Sequence, residues 1–184
     1  MIKNLLDIKD LSKEDFHKII LYAQQLNSKS LPILKNKNIG LIFEKNSTRT
    51  RLSFQVGINQ LQGNFIDIKL DDLNLKRFET FEDTFEIMAC YLDALVYRTK
   101  DHNKLLIAEK FFNKPIINAL SEVSHPCQAI SDFFTLKEFF GSLDNLKIVW
   151  MGDINNVFKS IAECTRFLKN TKIDVFTDEI IFKN

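Results

Sequence analysis

Glycine, proline and cysteine are scarce in this sequence of 184 residues, which holds five, three and three of them. Neither G-x-x-x-x-G-K nor G-x-G-x-x-G occurs, so the common glycine-rich nucleotide-binding loops are excluded. The three cysteines, Cys90, Cys127 and Cys164, are odd in number and widely spaced, which argues against a disulfide framework and against a zinc site. Cys90 and Cys164 fall in helical apolar patterns, and we expect both to be small core residues.

The sequence also has no large excess of positive or negative charge, since its formal net charge is +1. A strong basic field, which would indicate a nucleic-acid or membrane partner, is therefore absent. No apolar run is long enough to span a bilayer, and the N-terminal stretch MIKNLLDIKDLSKEDF lacks the uninterrupted apolar core of a signal peptide. The sequence predicts a cytoplasmic protein with no nucleic-acid partner and no membrane partner.

Strand patterns and helix patterns alternate along the whole chain. Apolar runs predict strands at 39–43, 65–68, 92–97, 115–119, 146–151 and 173–177. Apolar residues at helical spacing predict a helix that begins near residue 12 and further helices at 51–62, 81–91, 105–112, 129–140 and 156–168. We expect Gly63 and Gly141 to cap two of these helices. The alternation is typical of an α/β fold with a parallel sheet and right-handed crossovers.

The stretch FEKNSTRTRLSF, residues 43–54, carries the most information about function. It places Ser47, Thr48, Arg49, Thr50 and Arg51 where a buried strand ends and a helix begins. A helix N-terminus attracts anions through its unpaired N–H groups and dipole, and arginine can hold two phosphate oxygens at once. Taken alone, the segment fits two interpretations equally well: an oxyanion site, or an ordinary N-cap followed by solvated arginines.

Other polar clusters follow the neighbouring strands. The loop around Asn74 follows the second strand, Arg98 follows the third, and His125–Gln128 follows the fourth. Ligands of parallel α/β sheets bind beyond the carboxyl ends of the strands, and all these clusters are predicted to lie at that edge. Their convergence favours the phosphate site over the simple helix cap.

Four motifs, in order, resemble the aspartate/ornithine carbamoyltransferase family. They are FEKNSTRTRLSFQVG, LDALVYR ending at Arg98, HPCQAISDFFTL from His125, and MGDINNVFKS from Met151. The resemblance runs from the first helix to the end of the chain. Glu44-Lys45, Cys127 and the pair Asn155-Asn156 favour the ornithine branch of the family over the aspartate branch.

The resemblance implies a carbamoyl-phosphate-binding domain over residues 1–140, with helices on both faces of its parallel sheet. Residues 141–184 would then be the incomplete start of a second, Rossmann-like domain that binds the amino acid. The implied reaction transfers the carbamoyl group of carbamoyl phosphate to the side-chain amine of L-ornithine, giving citrulline and phosphate, in a homotrimer. No cofactor and no metal are implied, and neither the cysteines nor a histidine in an exposed loop would form a metal site.

The resemblance also implies roles for individual residues. Arg49, Arg98 and His125 would be catalytic, with His125 donating to the developing oxyanion, while Asn156 would hold ornithine and Arg51 would brace the motif through an ion pair. Carbamoyl phosphate would be bound by Ser47, Thr48, Arg49, Thr50, Arg98, His125, Pro126, Cys127 and Gln128, with Cys127 serving for packing. The alternatives are another amine substrate, such as aspartate, and a non-catalytic anion-binding or regulatory paralogue.

Some family features are missing from the 184 residues. The S-M-G and H-C-L-P segments of the second domain do not occur, so we expect a shortened second domain and a chain that is weakly active or inactive by itself. We expect that domain to expose the apolar side chains of Ile148, Trp150, Val175 and Phe176. Asn74 stands where the family usually has a glutamine that reaches a neighbouring subunit.

Overall fold

The computed structural model describes residues 4–28, 31–73 and 79–177. Within them the strands are β1 (Asn38–Phe43), β2 (Asn64–Ile68), β3 (Ala94–Arg98), β4 (Ile116–Leu120), β5 (Lys147–Met151) and β6 (Lys172–Phe176). The helices are α1 (Lys13–Ser28), α2 (Thr48–Gln60), α3 (Phe81–Tyr91), α4 (His102–Phe111), α5 (Pro126–Phe140) and α6 (Asn156–Thr165). All the predicted strands and helices are therefore confirmed in type and order.

The strands form two parallel sheets. One has the order β2-β1-β3-β4, and the other pairs β5 with β6. Leu5 adds a parallel bridge to Ile117 at the free side of β4, where the Leu5 N–H donates to the Ile116 carbonyl at 2.8 Å. This N-terminal contact was not predicted, because a single bridging residue leaves no alternating pattern in the sequence.

Helices cover both faces of the larger sheet, as predicted. Along β1, Ile42 belongs to an apolar cluster with side chains of α3 and α4, such as Phe85 and Leu105. Its neighbour Leu41 belongs to a second cluster, with Ile58 of α2. Because successive side chains of a strand point to opposite faces, β1 contributes to a core on each side of the sheet.

The end of α2 corrects one predicted cap. Gln62, and not Gly63, has the left-handed backbone conformation, with φ of 64°. The N–H of Gly63 donates to the Ile58 carbonyl and the N–H of Gln62 to that of Asn59, which together close a Schellman motif. Gly63 has a different reason to be glycine, since a Cβ there would lie 2.8 Å from Cβ of Leu34. Gly141 does cap α5 in the left-handed conformation, as expected.

Two predictions about burial are partly wrong. Cys164 is fully buried, but Cys90 is exposed on α3, where its thiol donates to the Glu86 carbonyl. In the smaller sheet Val175 and Phe176 are exposed as expected. Ile148 and Trp150 are instead half-buried, because they face the core cluster and Phe158, and the alternating residues Val149 and Met151 are the exposed ones.

The prediction for Asn74 falls outside the described residues. No helix in the described part of the chain is both apolar enough and long enough to cross a bilayer.

Candidate functional site

A cavity of about 880 Å³ opens at the carboxyl edge of the larger sheet. Nine of its lining residues come from the polar clusters or lie directly beside them. They are Asn46, Ser47, Thr48, Arg49, Thr50, Arg98, His125, Cys127 and Gln128. The structure therefore brings together the residues that follow β1, β3 and β4. Pro126 is buried beside the cavity, at the first turn of α5, and does not line it.

Ser47 stands at the N-cap position of α2, yet its side chain makes no capping hydrogen bond. Its hydroxyl instead accepts from Nη1 of Arg98 at 3.3 Å, and the Thr50 hydroxyl accepts from the same nitrogen at 3.2 Å. The interpretation of Ser47 as a simple helix cap therefore fails, since capping needs a bond from the hydroxyl to the α2 backbone. One guanidinium nitrogen organises both hydroxyls at the positive end of α2.

Arg98 is the last residue of β3, and burial lowers the pKa of its guanidinium. Its Nε is buried and has no hydrogen-bond partner among the described residues. Arg98 is half-buried and has no carboxylate partner among the described residues, so an anion that enters the cavity would compensate its charge.

The histidine expected in an exposed loop is His125, and this expectation is wrong because His125 is buried. Its side chain is only 8% exposed, at the N-cap of α5, and its backbone N–H donates to Oγ of Ser160 at 2.9 Å. Burial, and to a smaller extent the charge of Arg98, lower the pKa of His125 to about 4. The imidazole is therefore neutral near pH 7, with one N–H to donate, and its Nδ1 is buried without a partner among the described residues.

The first turn of α5 carries two further lining residues. The thiol of Cys127 donates to the Asn118 carbonyl at 3.4 Å, and burial raises its pKa to about 12, so the sulfur stays protonated. Such a thiol is not a nucleophile, which agrees with the predicted packing role. Gln128 lines the cavity while its amide donates to Asp132 at 2.8 Å.

The two arginines of the motif face different surroundings. Arg49 and Thr48 are exposed at the rim of the cavity, where they are free to meet a ligand. Arg51 does not line the cavity; its guanidinium lies 5.1 Å from the centre of the Phe43 ring and 3.8 Å from the Asp67 carboxylate. The ion pair expected of Arg51 is therefore present, and its bracing role stays a prediction.

Asn156 lies away from the cavity. Asn155, and not Asn156, is the N-cap of α6, accepting from the backbone N–H groups of Val157 and Phe158. The Asn156 amide donates to the Ser121 carbonyl, in the loop that leads to His125. Asn156 is not among the residues that line the cavity, and its predicted role in holding an amino acid stays a prediction.

Sequence reasoning missed several lining residues and one supporting group. Ser53, Phe54 and Ser131 line the cavity one helical turn beyond residues that were predicted, so the period of 3.6 could have found them. Glu44 was noted only as a family detail, yet its carboxylate accepts from Tyr97, Thr99 and Lys104 directly behind the cavity. No group of three or more His, Cys, Asp and Glu side chains in the described ranges is arranged to hold a metal ion.

Comparison with known proteins places this site in a family. Residues 3–138 match the family model described as aspartate/ornithine carbamoyltransferase, carbamoyl-P binding domain. An ornithine carbamoyltransferase of Bacillus subtilis is 42% identical over 160 residues, which is 86% of this chain and 50% of the relative. The chain thus spans about half the length of the curated relatives it matches.

Solved structures extend the likeness to the fold. The ornithine carbamoyltransferase of Thermus thermophilus superposes with a TM-score of 0.91 at 30% identity, covering 98% of this chain and 63% of the other. The catalytic subunit of Methanocaldococcus jannaschii aspartate transcarbamoylase gives a TM-score of 0.88 at 26% identity, covering 98% and 62%. The chain belongs to the aspartate/ornithine carbamoyltransferase family.

Proposed function

We propose that the cavity binds carbamoyl phosphate, with the phosphate group at the N-terminus of α2. The observation that carries this proposal is the bridge from Arg98 Nη1 to the hydroxyls of Ser47 and Thr50. It gathers a half-buried cation, two hydroxyl groups and the unpaired N–H groups of α2 around one point. Thr48 and Arg49 at the rim add a third hydroxyl and a second cation.

The carbamoyl group would lie against the start of α5. A neutral His125 donates a hydrogen bond to the carbonyl oxygen, and the charge of Arg98 stabilises the negative charge that builds there. Gln128 lines the same wall and would orient the carbamoyl amide. Because His125 is already neutral and buried, this donor needs no rearrangement of charge when the reaction begins.

In the proposed reaction the neutral side-chain amine of L-ornithine attacks the carbonyl carbon. A C–N bond forms, the C–O bond to phosphate breaks, and one amine proton leaves with the phosphate. Citrulline and phosphate are the products. Ornithine is proposed as the amine because the curated relatives named above are ornithine carbamoyltransferases. The work of the site is then positioning and charge stabilisation, with no covalent intermediate on the enzyme.

Aspartate is the second candidate amine, favoured by the likeness to an aspartate transcarbamoylase catalytic subunit. We also propose that the carbamoyl-phosphate-binding domain ends near residue 140, which is supported by the end of the family match at residue 138. The homotrimer and the cytoplasmic location stay predictions. Sedimentation velocity on the purified chain would measure the first of them.

Calorimetric titration of carbamoyl phosphate into the purified chain tests the binding step. We expect saturable binding by the wild type and a loss of at least tenfold in affinity for Arg49→Ala. Lys147→Ala is the matched control, because it removes the same charge from an exposed position on β5. Circular dichroism checks that all three proteins are folded. Absence of binding by the folded wild type would overturn the proposal.

A citrulline assay, with aspartate as the alternative amine, tests the transfer step and the choice of amine. Binding of carbamoyl phosphate without turnover agrees with the expectation that this chain is weakly active or inactive by itself, and it also fits a non-catalytic anion-binding protein. Robust citrulline formation would contradict that expectation. Carbamoylation of aspartate in place of ornithine would transfer the proposal to the second amine.

A further inference from the structure

Glu44 is a carboxylate with a side chain only 17% exposed, three residues before the anion site. It accepts from the Tyr97 hydroxyl at 2.6 Å and from the Thr99 hydroxyl at 3.0 Å. The Lys104 ammonium lies 3.0 and 3.1 Å from its two oxygens. Four contacts from three side chains fix this carboxylate in one position.

These contacts surround Arg98 in the chain. Tyr97 precedes Arg98 and Thr99 follows it, and both side chains reach Glu44, while the Arg98 side chain points the other way, to Ser47 and Thr50. The backbone N–H of Glu44 also donates to the Arg98 carbonyl at 3.0 Å. Glu44 therefore contacts the residue before Arg98, the residue after it and the Arg98 carbonyl itself.

The negative charge of Glu44 is unfavourable so close to a site that is proposed to bind an anion. A carboxylate beside an anion site repels the ligand unless another charge compensates it. Lys104 supplies that compensation, and its ammonium is itself held 5.4 Å from the centre of the Phe81 ring. Because a negative charge at this place opposes anion binding, a structural benefit must outweigh the electrostatic cost.

We propose that Glu44 is a positioning residue, which holds Arg98 in register with Ser47 and Thr50 so that the three groups bind the phosphate together. The proposal rests on the proposed function of the cavity, and it deepens that function by naming what aligns the Arg98 guanidinium. Glu44 is not among the residues that line the cavity, so it would act through Arg98.

The substitution Glu44→Gln separates positioning from electrostatics, because the two effects have opposite signs. It removes a negative charge next to an anion site, so electrostatics alone predicts tighter binding of inorganic phosphate. Loss of alignment predicts weaker binding, since the amide cannot accept from Lys104 and both hydroxyls as the carboxylate does. We expect the dissociation constant for inorganic phosphate to rise at least fivefold by calorimetry.

Asp93→Asn is the matched control. Asp93 also pairs with a lysine, Lys37, and accepts a backbone N–H from Asn38, but it lies at the opposite, amino end of β1 and β3. The substitution makes the same change in net charge, and we expect phosphate affinity to stay within twofold. An equal loss in both variants would show general destabilisation and overturn the proposal.

A second pair of variants tests the same contact without changing charge. Thr99→Val removes one donor to Glu44, whereas Thr99→Ser keeps it. We expect weaker phosphate binding for the valine variant and near wild-type binding for the serine variant. Unchanged or tighter binding in both Glu44→Gln and Thr99→Val would overturn the proposal. A wild type that binds no phosphate would instead contradict the proposed function, and Arg98→Ala marks the loss expected when the cation itself is gone.

Discussion

At the scale of single residues, His125 links the chemistry of the site to the stability of the chain. Its imidazole has a pKa of about 4 in the folded protein, against the ordinary value of 6.5. Burial is the larger cause and the Arg98 charge the smaller. Both disfavour the protonated ring, so the folded chain resists taking up a proton that the unfolded chain accepts readily.

This difference predicts how stability changes with pH. Between pH 6.5 and about 4 the unfolded chain binds the additional proton, so the free energy of unfolding falls as the pH decreases through this window. The contribution is complete above pH 6.5 and amounts to about 3 kcal/mol as an upper limit. Urea unfolding in buffers across the window measures it. We expect His125→Gln to flatten the pH dependence and His17→Gln, at an exposed position, to leave it in place. Equal slopes for wild type and His125→Gln would contradict the low pKa.

At the scale of elements, α2 contains or borders two glycines in contrasting surroundings. Gly57 lies inside the helix, and a Cβ added there meets no atom within 4 Å. Gly63 follows the helix, and a Cβ added there would lie 2.8 Å from Leu34 Cβ and 3.0 Å from Ile58 Cγ2. The same substitution is therefore favourable at one position and unfavourable at the other.

We expect Gly57→Ala to stabilise the chain by about 0.5–1 kcal/mol, because alanine loses less backbone entropy in a helix. Gly63→Ala is expected to destabilise it by about 1–3 kcal/mol, since two packed side chains must move. Chemical denaturation at neutral pH gives both differences. A loss of stability in Gly57→Ala comparable to that in Gly63→Ala would contradict the packing described around the two residues.

The elements also show what sequence patterns can and cannot predict. The junction of β1 and α2 was predictable, because apolar runs, helical spacing and helix-terminus chemistry all coincide between residues 39 and 56. The edge rule for parallel sheets likewise brought Arg98 and His125 to the same cavity. The Glu44 contacts were not predictable, since they depend on the register between β1 and β3 and on the rotamers of Glu44, Tyr97 and Lys104. The burial of His125 depends on Ser160 and α6, a contact between distant parts of the chain.

At the scale of the whole molecule, one apolar cluster packs α1 and α5 against α6 and the smaller sheet. It contains side chains from α1, α5 and α6, and Phe16 lies at its centre, stacked on Phe167 and edge-on to Phe133. Leu143, which leads into β5, belongs to the same cluster. The smaller sheet therefore shares a hydrophobic core with α1 and α5, and it does not have a separate core of its own among the described residues.

A shared core predicts a single unfolding transition. Trp150 is the one tryptophan of the sequence and lies on β5, so its fluorescence reports on the smaller sheet, whereas far-ultraviolet circular dichroism reports on all elements. We expect the two signals to coincide during urea unfolding. Phe16→Ala should shift both together by about 3–5 kcal/mol, and Phe139→Ala, at an exposed ring, by less than about 0.5 kcal/mol. Separated transitions would contradict the shared core.

The bridge between Leu5 and Ile117 sets an order of events during synthesis. The Asn118 amide donates to the Leu6 carbonyl across 112 positions of chain, so the bridge of the first segment cannot form until β4 has been made. At translation rates of about 5–20 residues per second, this wait lasts roughly 6–22 s. The strands β1, β2 and β3 are synthesised in that interval, before the partner strand of the first segment exists. We therefore expect the amino-terminal segment to add its bridge to the larger sheet after these strands, although it is the first part to be synthesised.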